Sequence, residues 1–340
     1  MAGNQNMMQP PISYQHPEYA FPRYLAAKKS VDDRALNYRV WRALADELAG
    51  RSDVAPPRVL ELGAGSGSMI ERLLDGGMLR GGSYDAVDNG SENLDATPAS
   101  LENWSATRPW TVSREGNRVF IEGDDADALT VRLIPEDAFR FLDRPDVAGG
   151  YDLVIAHAFL DLVDLARILP HIRRALRPRG LLYATINFDG VTAFEPILDA
   201  ELDRRIEELY HATMDARMVD GSRSGDSRTG RRLIHQLQYA GFNVEAAGPS
   251  DWLVFAQNGA YPNDETYFLH FIVNTVHSAL AGHPELDAPA FDAWIAARHQ
   301  QIERGELVYL AHQIDVLGRS LPDTQGQQPQ DIEKIPEKGK

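Results

Sequence analysis

The sequence predicts an α/β fold, a mostly parallel sheet covered by helices on both faces. Between residues 58 and 186, short apolar runs alternate with stripes of helical period, the pattern of strand–helix–strand units. The first run ends in three alternate glycines, Gly63, Gly65 and Gly67, residues that let a strand turn sharply into a helix. At 340 residues, 43% hydrophobic and 25% charged, the chain suits one large decorated domain or two smaller ones.

Residues 1–29 are rich in proline and aromatics and show no period, so an irregular arm packed on the body is expected. A helix is expected to open at Ser30, a good N-cap, with Asp32 and Asp33 near its positive end. Val40, Trp41, Leu44 and Leu48 continue at helical spacing, and Gly50 stops it. Residues 58–62 read as a strand, 69–74 as a helix, 84–87 as a second strand and 94–104 as a helix weakened by Pro98. Residues 111–122, centred on Glu115-Gly116-Asn117, read as an inserted hairpin. Strands follow at 131–134 and 151–156. The stripe Leu165, Ile168, Leu169, Ile172, Leu176 is helical, with Pro170 marking a restart, and Pro178-Arg179-Gly180 breaks it before a strand at 181–186.

The second half departs from simple alternation. A long helix is expected over 195–218, a polar break over 220–226, and a helix over 231–240 closed by Gly241. Strand material follows at 244–255, then amphipathic helices at 266–280 and 291–302, and a final strand at 307–317. These patterns give an arm and helix over 1–50, a main domain over 51–318 with insertions near 188–226 and 258–305, and a disordered polar tail over 319–340.

Composition narrows the function. The chain has no cysteine, which removes disulfides, thiolate nucleophiles and cysteine-based metal sites. Its net charge of -16 repels a phosphate backbone, so nucleic acid is not an expected partner, the arginines between 223 and 232 being the local exception. No apolar run is long enough for a membrane span and no secretory signal opens the chain, so a cytoplasmic address is expected. No spacing of His or carboxylates suggests a metal site.

The run Glu61-Leu62-Gly63-Ala64-Gly65-Ser66-Gly67 is the central motif. Its register is G-x-G-x-G, an acid precedes it by two positions, and a second strand ends in Asp88, where a carboxylate can take two ribose hydroxyls. Here the chain resembles the class I S-adenosylmethionine-dependent methyltransferases. The resemblance continues in order through Asp88 and Asn89, the pair Asp137-Ala138 with Glu136 before it, Tyr151 to His157, and Arg174 to Gly180, covering residues 58–187. It implies a Rossmann-like seven-stranded sheet with S-adenosyl-L-methionine as cofactor. Glu61, Gly63, Ala64, Gly65, Gly67, Asp88, Asn89, Asp137, Ala138 and His157 would line the cofactor site, with Asp88 on the ribose and Asp137 on the adenine amino group.

Methyl transfer from a sulfonium needs alignment, exclusion of water and, for some acceptors, a base. His157, at the carboxyl end of the fourth strand, is the expected base or, failing that, a structural or cofactor contact. The run Ala156-His157-Ala158-Phe159 lacks the Asn/Asp-Pro-Pro-aromatic pattern of nucleic-acid amino methyltransferases, which points to a small-molecule acceptor. Tyr14, His16, Arg23, Tyr24, Asn187, Asp189 and His270 are the candidate substrate residues, drawn from the arm, the strand-five rim and the extra helices that would form a cap. Those helices also offer a homodimer face. Two other readings stay open: an accessory protein that binds the cofactor without transferring a methyl, and a nicotinamide-dependent oxidoreductase, whose G-x-G-x-x-G register is not found. The acceptor atom, oxygen, nitrogen or carbon, is not legible.

Overall fold

The computed structural model describes residues 19–50, 56–123, 128–219 and 221–322. In chain order the elements are α1 (Phe21–Ala35), α2 (Tyr38–Ala49), β1 (Arg58–Leu62), α3 (Ser68–Asp75), β2 (Gly82–Asp88), α4 (Ser91–Ser105), β3 (Trp110–Glu115), β4 (Arg118–Gly123), β5 (Leu129–Pro135), α5 (Ala138–Asp143), β6 (Tyr151–His157) and α6 (Leu165–Ala175). They continue with β7 (Leu176–Glu195), α7 (Ala200–Asp215), β8 (Met218–Val219), β9 (Ser222–Arg223), α8 (Thr229–Tyr239), β10 (Phe242–Pro249), β11 (Trp252–Val254), α9 (Glu265–Leu280), α10 (Ala288–Glu303) and β12 (Val308–Ser320).

Strands β5, β2, β1, β6 and β7 lie side by side and parallel, as the alternation of apolar runs and helical stripes predicts. Beyond β7 the long β12 runs antiparallel and separates it from β10. A doubly wound dinucleotide-binding sheet continues with parallel strands at this edge; here the last strand is an antiparallel wedge. The expected seven strands are the core of a sheet of ten. The hairpin β3–β4 adds two by pairing with β5, because Val119 and Ile121 of β4 are apolar on one face and continue its core. β11 adds the tenth, on β12.

Successive strand residues feed opposite cores, which is why the buried strands read as unbroken apolar runs. Val59, Leu153, Leu181 and Leu317 join α2, α3 and α4 on one face. Leu60, Val154, Leu182 and Val316 join α5, α6 and α8 on the other. A third core caps the carboxyl ends of the strands: Val31 of α1, Leu209 of α7, Phe268 of α9 and Trp294 of α10 pack on Tyr309 of β12. No helix among the described residues is long and apolar enough to cross a membrane.

Several expectations are corrected. Residues 21–29, read as irregular, are already helical, and Ser30 lies inside α1, donating its hydroxyl to Glu265 at 2.8 Å. Pro22, which favours a helix's first turn, opens α1. The N-cap in this region is Asn37, whose side chain accepts from the Arg39 and Val40 amides to start α2. Pro170 does not restart α6; Ile168, Leu169 and Ile172 bury one face and hold the helix through the missing donor. The Pro178-Arg179-Gly180 break survives as a register slip, Leu176 facing Tyr151 and Leu181 facing Leu153. The strand does not end at 186, however, but runs on to Glu195 because β12 pairs with it that far. The long helix of 195–218 is the shorter α7, capped by Asp199, which accepts from the Glu201 and Leu202 amides. Arg319 and Ser320, assigned to the tail, complete β12; residues 323–340 lie outside the described residues.

Candidate functional site

In open α/β sheets, ligands bind beyond the carboxyl ends of the strands where the strand order reverses, here between β1 and β6. A cavity of about 680 Å³ opens at that point. The turn after β1 forms one wall. Gly63 and Gly65 have φ of 72° and 55°, values a side chain disfavours. A Cβ on Gly63 would lie 2.8 Å from the Phe159 ring. The Gly63 and Ala64 amides donate to Val87 O at 2.8 and 3.1 Å, tying the turn to β2. Gly63, Ala64, Gly65 and Ser66 line the cavity, whereas Gly67 turns away to cap α3, its α-carbon packed against Thr97.

Asp88, at the end of β2, lines the same cavity beside Asn89. Its Oδ2 accepts the Gly65 amide at 2.9 Å, and its Oδ1 accepts the Gly90 amide at 2.8 Å and Asn93 Nδ2 at 3.3 Å. Burial pushes its pKa up, against these donors, which pull it down. A carboxylate has about four acceptor sites, so the turn leaves acceptor capacity toward the cavity. Asn93 Oδ1, buried beside it on the wall, has no partner.

Glu61 stands elsewhere. It is 1% exposed and accepts the Tyr84 hydroxyl at 2.6 Å, with burial raising its pKa to about 8. It is not part of the cavity wall, so an assignment to the cofactor gives way to a neutral acid beneath the turn. Asp137 accepts the Arg140 amide as N-cap of α5, while Glu136 and Ala138, on either side, face the cavity. Glu136 is ion-paired with Arg144. Of this acidic pair it is Glu136, the neighbour of the residue the register suggested, that lies on the cavity wall.

His157 closes β6 on the cavity wall, with both ring nitrogens engaged. Nδ1 is 2.8 Å from Thr185 Oγ1, and Nε2 is 3.0 Å from Asp32 Oδ2 and 3.2 Å from Arg72 Nη1. Burial lowers its pKa to about 4; Asp32 opposes that shift, while Lys28 and Arg72 add to it. Asp32 also takes the Trp252 indole N–H at 2.9 Å and pairs with Lys28. Burial would raise the Asp32 pKa, but Lys28, His157 and Arg72 together hold it well below the carboxylate range. A neutral imidazole locked on both sides is poorly placed to take a substrate proton, and the geometry makes His157 the brace that fixes α1 to the sheet.

The other half of the cavity is a chamber under the cap. Tyr24 lines it, stacked on Phe271 with ring centroids 4.1 Å apart, together with Phe188, Tyr210, Trp252 and Tyr309. Four other expected substrate residues, Arg23, Asn187, Asp189 and His270, stand outside the wall. Arg23 is paired with Asp264 and lies over the Tyr267 ring. Asn187 is fully buried and donates to Ile314 O at 2.8 Å. Asp189 accepts the Arg231 amide and Nε at 2.9 and 2.8 Å. Alternation along the prolonged β7 explains both, since Ile186 and Phe188 take the cavity side. His270 pairs with His299 at 2.8 Å and with Glu303 at 2.9 Å, between the cap helices. Tyr14 and His16 lie outside the described residues. Missed from sequence were Lys28, which falls in the stretch read as an irregular arm, Asp32, read as a helix-start acid, and Asp161, Tyr210 and Arg217. No group of three or more His, Asp or Glu among the described residues is arranged to hold a metal ion.

No family model matches the chain, and no curated protein matches it. Solved structures similar to it include a putative sarcosine dimethylglycine methyltransferase from Galdieria sulphuraria, 16% identical over 82% of this chain and 84% of that one, TM-score 0.39. The YcgJ protein of Bacillus subtilis is 11% identical over 83% of this chain and 99% of its own, TM-score 0.43. A geranyl diphosphate C-methyltransferase from Streptomyces coelicolor, solved with S-adenosyl-L-homocysteine, is 13% identical over 82% of this chain and 76% of its own, TM-score 0.39.

Proposed function

We propose that the protein is an S-adenosylmethionine-dependent methyltransferase acting on a small molecule inside the cell. The carrying observation is the continuity of one cavity, which joins the glycine turn and Asp88 to a chamber of aromatic side chains. A volume of about 680 Å³ falls within the range of ligand pockets and suits small molecules, not a polymer.

The residues present fit the cofactor. Gly63 and Gly65 line the cavity with backbone that carries no side chain of its own, Asp88 keeps acceptor capacity for ribose hydroxyls, and Glu136 and Ala138 on the same wall would meet the adenine edge. The orphaned Asn93 Oδ1 supplies one more acceptor. When bound, the cofactor supplies a methyl group already activated by a positive sulfur. The chain's own work is then orientation and dryness. Phe159 backs the turn, Tyr24 and Phe271 roof the chamber, and the Asp32–His157–Trp252 contacts hold α1 over the carboxyl edge so that water is kept out.

Calorimetric titration with S-adenosylmethionine and S-adenosylhomocysteine, beside Asp88→Ala, tests this reading. Binding in the micromolar range that is lost in the variant is expected. Equal binding by both proteins, or binding of NADH in place of either ligand, would overturn it.

A further inference from the structure

Three polar groups in the substrate half face the cavity without bonding to one another. Asp161 stands in the turn after β6, Tyr210 on α7 and Arg217 just beyond α7, and all three line the chamber. Asp161 Oδ1 and Arg217 Nε are buried and have no hydrogen-bond partner. The two residues are within electrostatic reach of each other, and the Tyr210 hydroxyl is within reach of both. Buried groups of opposite charge that stop short of pairing are costly to leave so, since each is desolvated without full compensation.

The backbone around them is fastened. The Ser224 amide donates to Arg217 O at 2.9 Å, and its hydroxyl donates to Leu162 O at 2.6 Å, beside Asp161. The Asp226 amide reaches Asp161 O at 3.3 Å. Gly225 passes so close that a Cβ there would meet Asp161 O at 2.9 Å. This loop holds the turn of Asp161 and the end of α7 in a fixed relation.

The chemistry of the gap follows from its donors and acceptors. A guanidinium only donates, so Arg217 needs an acceptor and favours an anion; an ionised carboxylate only accepts, so Asp161 needs a donor and favours a cation. The Tyr210 hydroxyl serves either. Lys28, the other cation in reach of Asp161, is already taken by Asp32. The aromatic walls behind ask for an apolar body. We propose that the methyl acceptor is an amphiphilic zwitterion of amino-acid type, its carboxylate on Arg217 and its ammonium on Asp161. This inference rests on the methyltransferase reading above and names the substrate class of the same cavity.

Phenylalanine, phenethylamine and 3-phenylpropanoate, which carry both charges, only the ammonium and only the carboxylate, are the probes. Each is titrated calorimetrically into protein saturated with S-adenosylhomocysteine, for wild type, Asp161→Asn, Arg217→Gln and Arg217→Lys. Phenylalanine is expected to bind at least about tenfold more tightly than either truncated probe, a difference of the size one lost charge-assisted contact gives. Arg217→Gln should make phenylalanine and phenethylamine equal, Asp161→Asn should make phenylalanine and phenylpropanoate equal, and Arg217→Lys should keep part of the carboxylate preference. The melting temperature of Asp161→Asn should hold or rise, where a structural carboxylate would lower it. Equal binding of the three probes, no binding of any, or uniform weakening by every variant overturns the proposal. If S-adenosylhomocysteine itself fails to bind, the cofactor reading fails, and the same titrations without it still test the zwitterion site.

Discussion

Asp32→Asn perturbs the contact on which the cap rests. Lys28 and Asp32 are 8% and 3% exposed at the side chain, and Arg72, 3.8 Å from the same carboxylate, is 6% exposed. Asparagine can still accept the Trp252 N–H, but it leaves the Lys28 ammonium buried without its paired carboxylate. Removing one partner of a buried pair costs about 3–5 kcal/mol. With a urea slope of about 3 kcal/mol per molar, the unfolding midpoint should fall by about 1–1.7 M, followed by tryptophan fluorescence. Lys28→Met combined with Asp32→Asn should recover part of the loss, because the stranded charge is then gone, giving a coupling of about 0.5–3 kcal/mol. The pH dependence has a definite sign. Asp32 has a depressed folded pKa, so its stabilisation is present above the unfolded value, about 3.9, and is lost as pH falls through the folded one. The cost of the substitution is therefore full at neutral pH and closes below about pH 4. A loss under about 1 kcal/mol at pH 7, or a double variant as unstable as the summed singles, would refute the brace.

Three other outcomes follow from buried groups and from the turn. Glu61, raised by burial to about 8, contributes stability that is complete below its unfolded pKa and drains as pH rises toward 8, at about 1.4 kcal/mol per unit. Glu61→Gln should flatten that limb of the melting-temperature profile and leave S-adenosylhomocysteine binding intact; parallel profiles would refute it. His157, lowered to about 4, should cost the fold about 3 kcal/mol as pH drops from 6.5 to 4, because the unfolded imidazole takes the proton first; His157→Gln should remove that dependence in urea titrations across the range. Gly63→Ala places a Cβ at φ 72° and 2.8 Å from Phe159, and should cost about 1–2 kcal/mol from the left-handed backbone and more from the displaced ring. An unchanged melting temperature would show that the turn does not need glycine.

What was legible in the sequence was local. The strand–turn–helix around Gly63 and the acid closing β2 announce themselves within a few residues, because backbone geometry and burial act at that range. Parts of the site that join distant segments were not. His157 and Asp32 are 125 residues apart, and an aspartate beside Asp33 in a charged stretch looks like a helix-end acid, not a buried hub. The motif's register favours Asp137 over Glu136, although an Asp before an apolar helical run is also an N-cap signal. Sequence alone sets Asn187 and Asp189 on a rim, because the pairing that prolongs β7 comes from β12, more than a hundred residues later. Arg217 and Asp161 gave no signal, since an unpaired buried charge shows only in three dimensions.

The position of β12 has a consequence for assembly. The last strand of the described chain sits inside the sheet, between β7 and β10, and its residues Tyr309, Ala311 and Gln313 complete the cavity wall. During synthesis the parallel strands emerge first, and β7 and β10 wait with open hydrogen-bonding edges until β12 has been made. Such edges invite pairing with other chains. The order of elements thus leaves the cavity wall incomplete until the chain through Ser320 is in place, and makes the interval before β12 docks the time when open strand edges are most exposed to other chains.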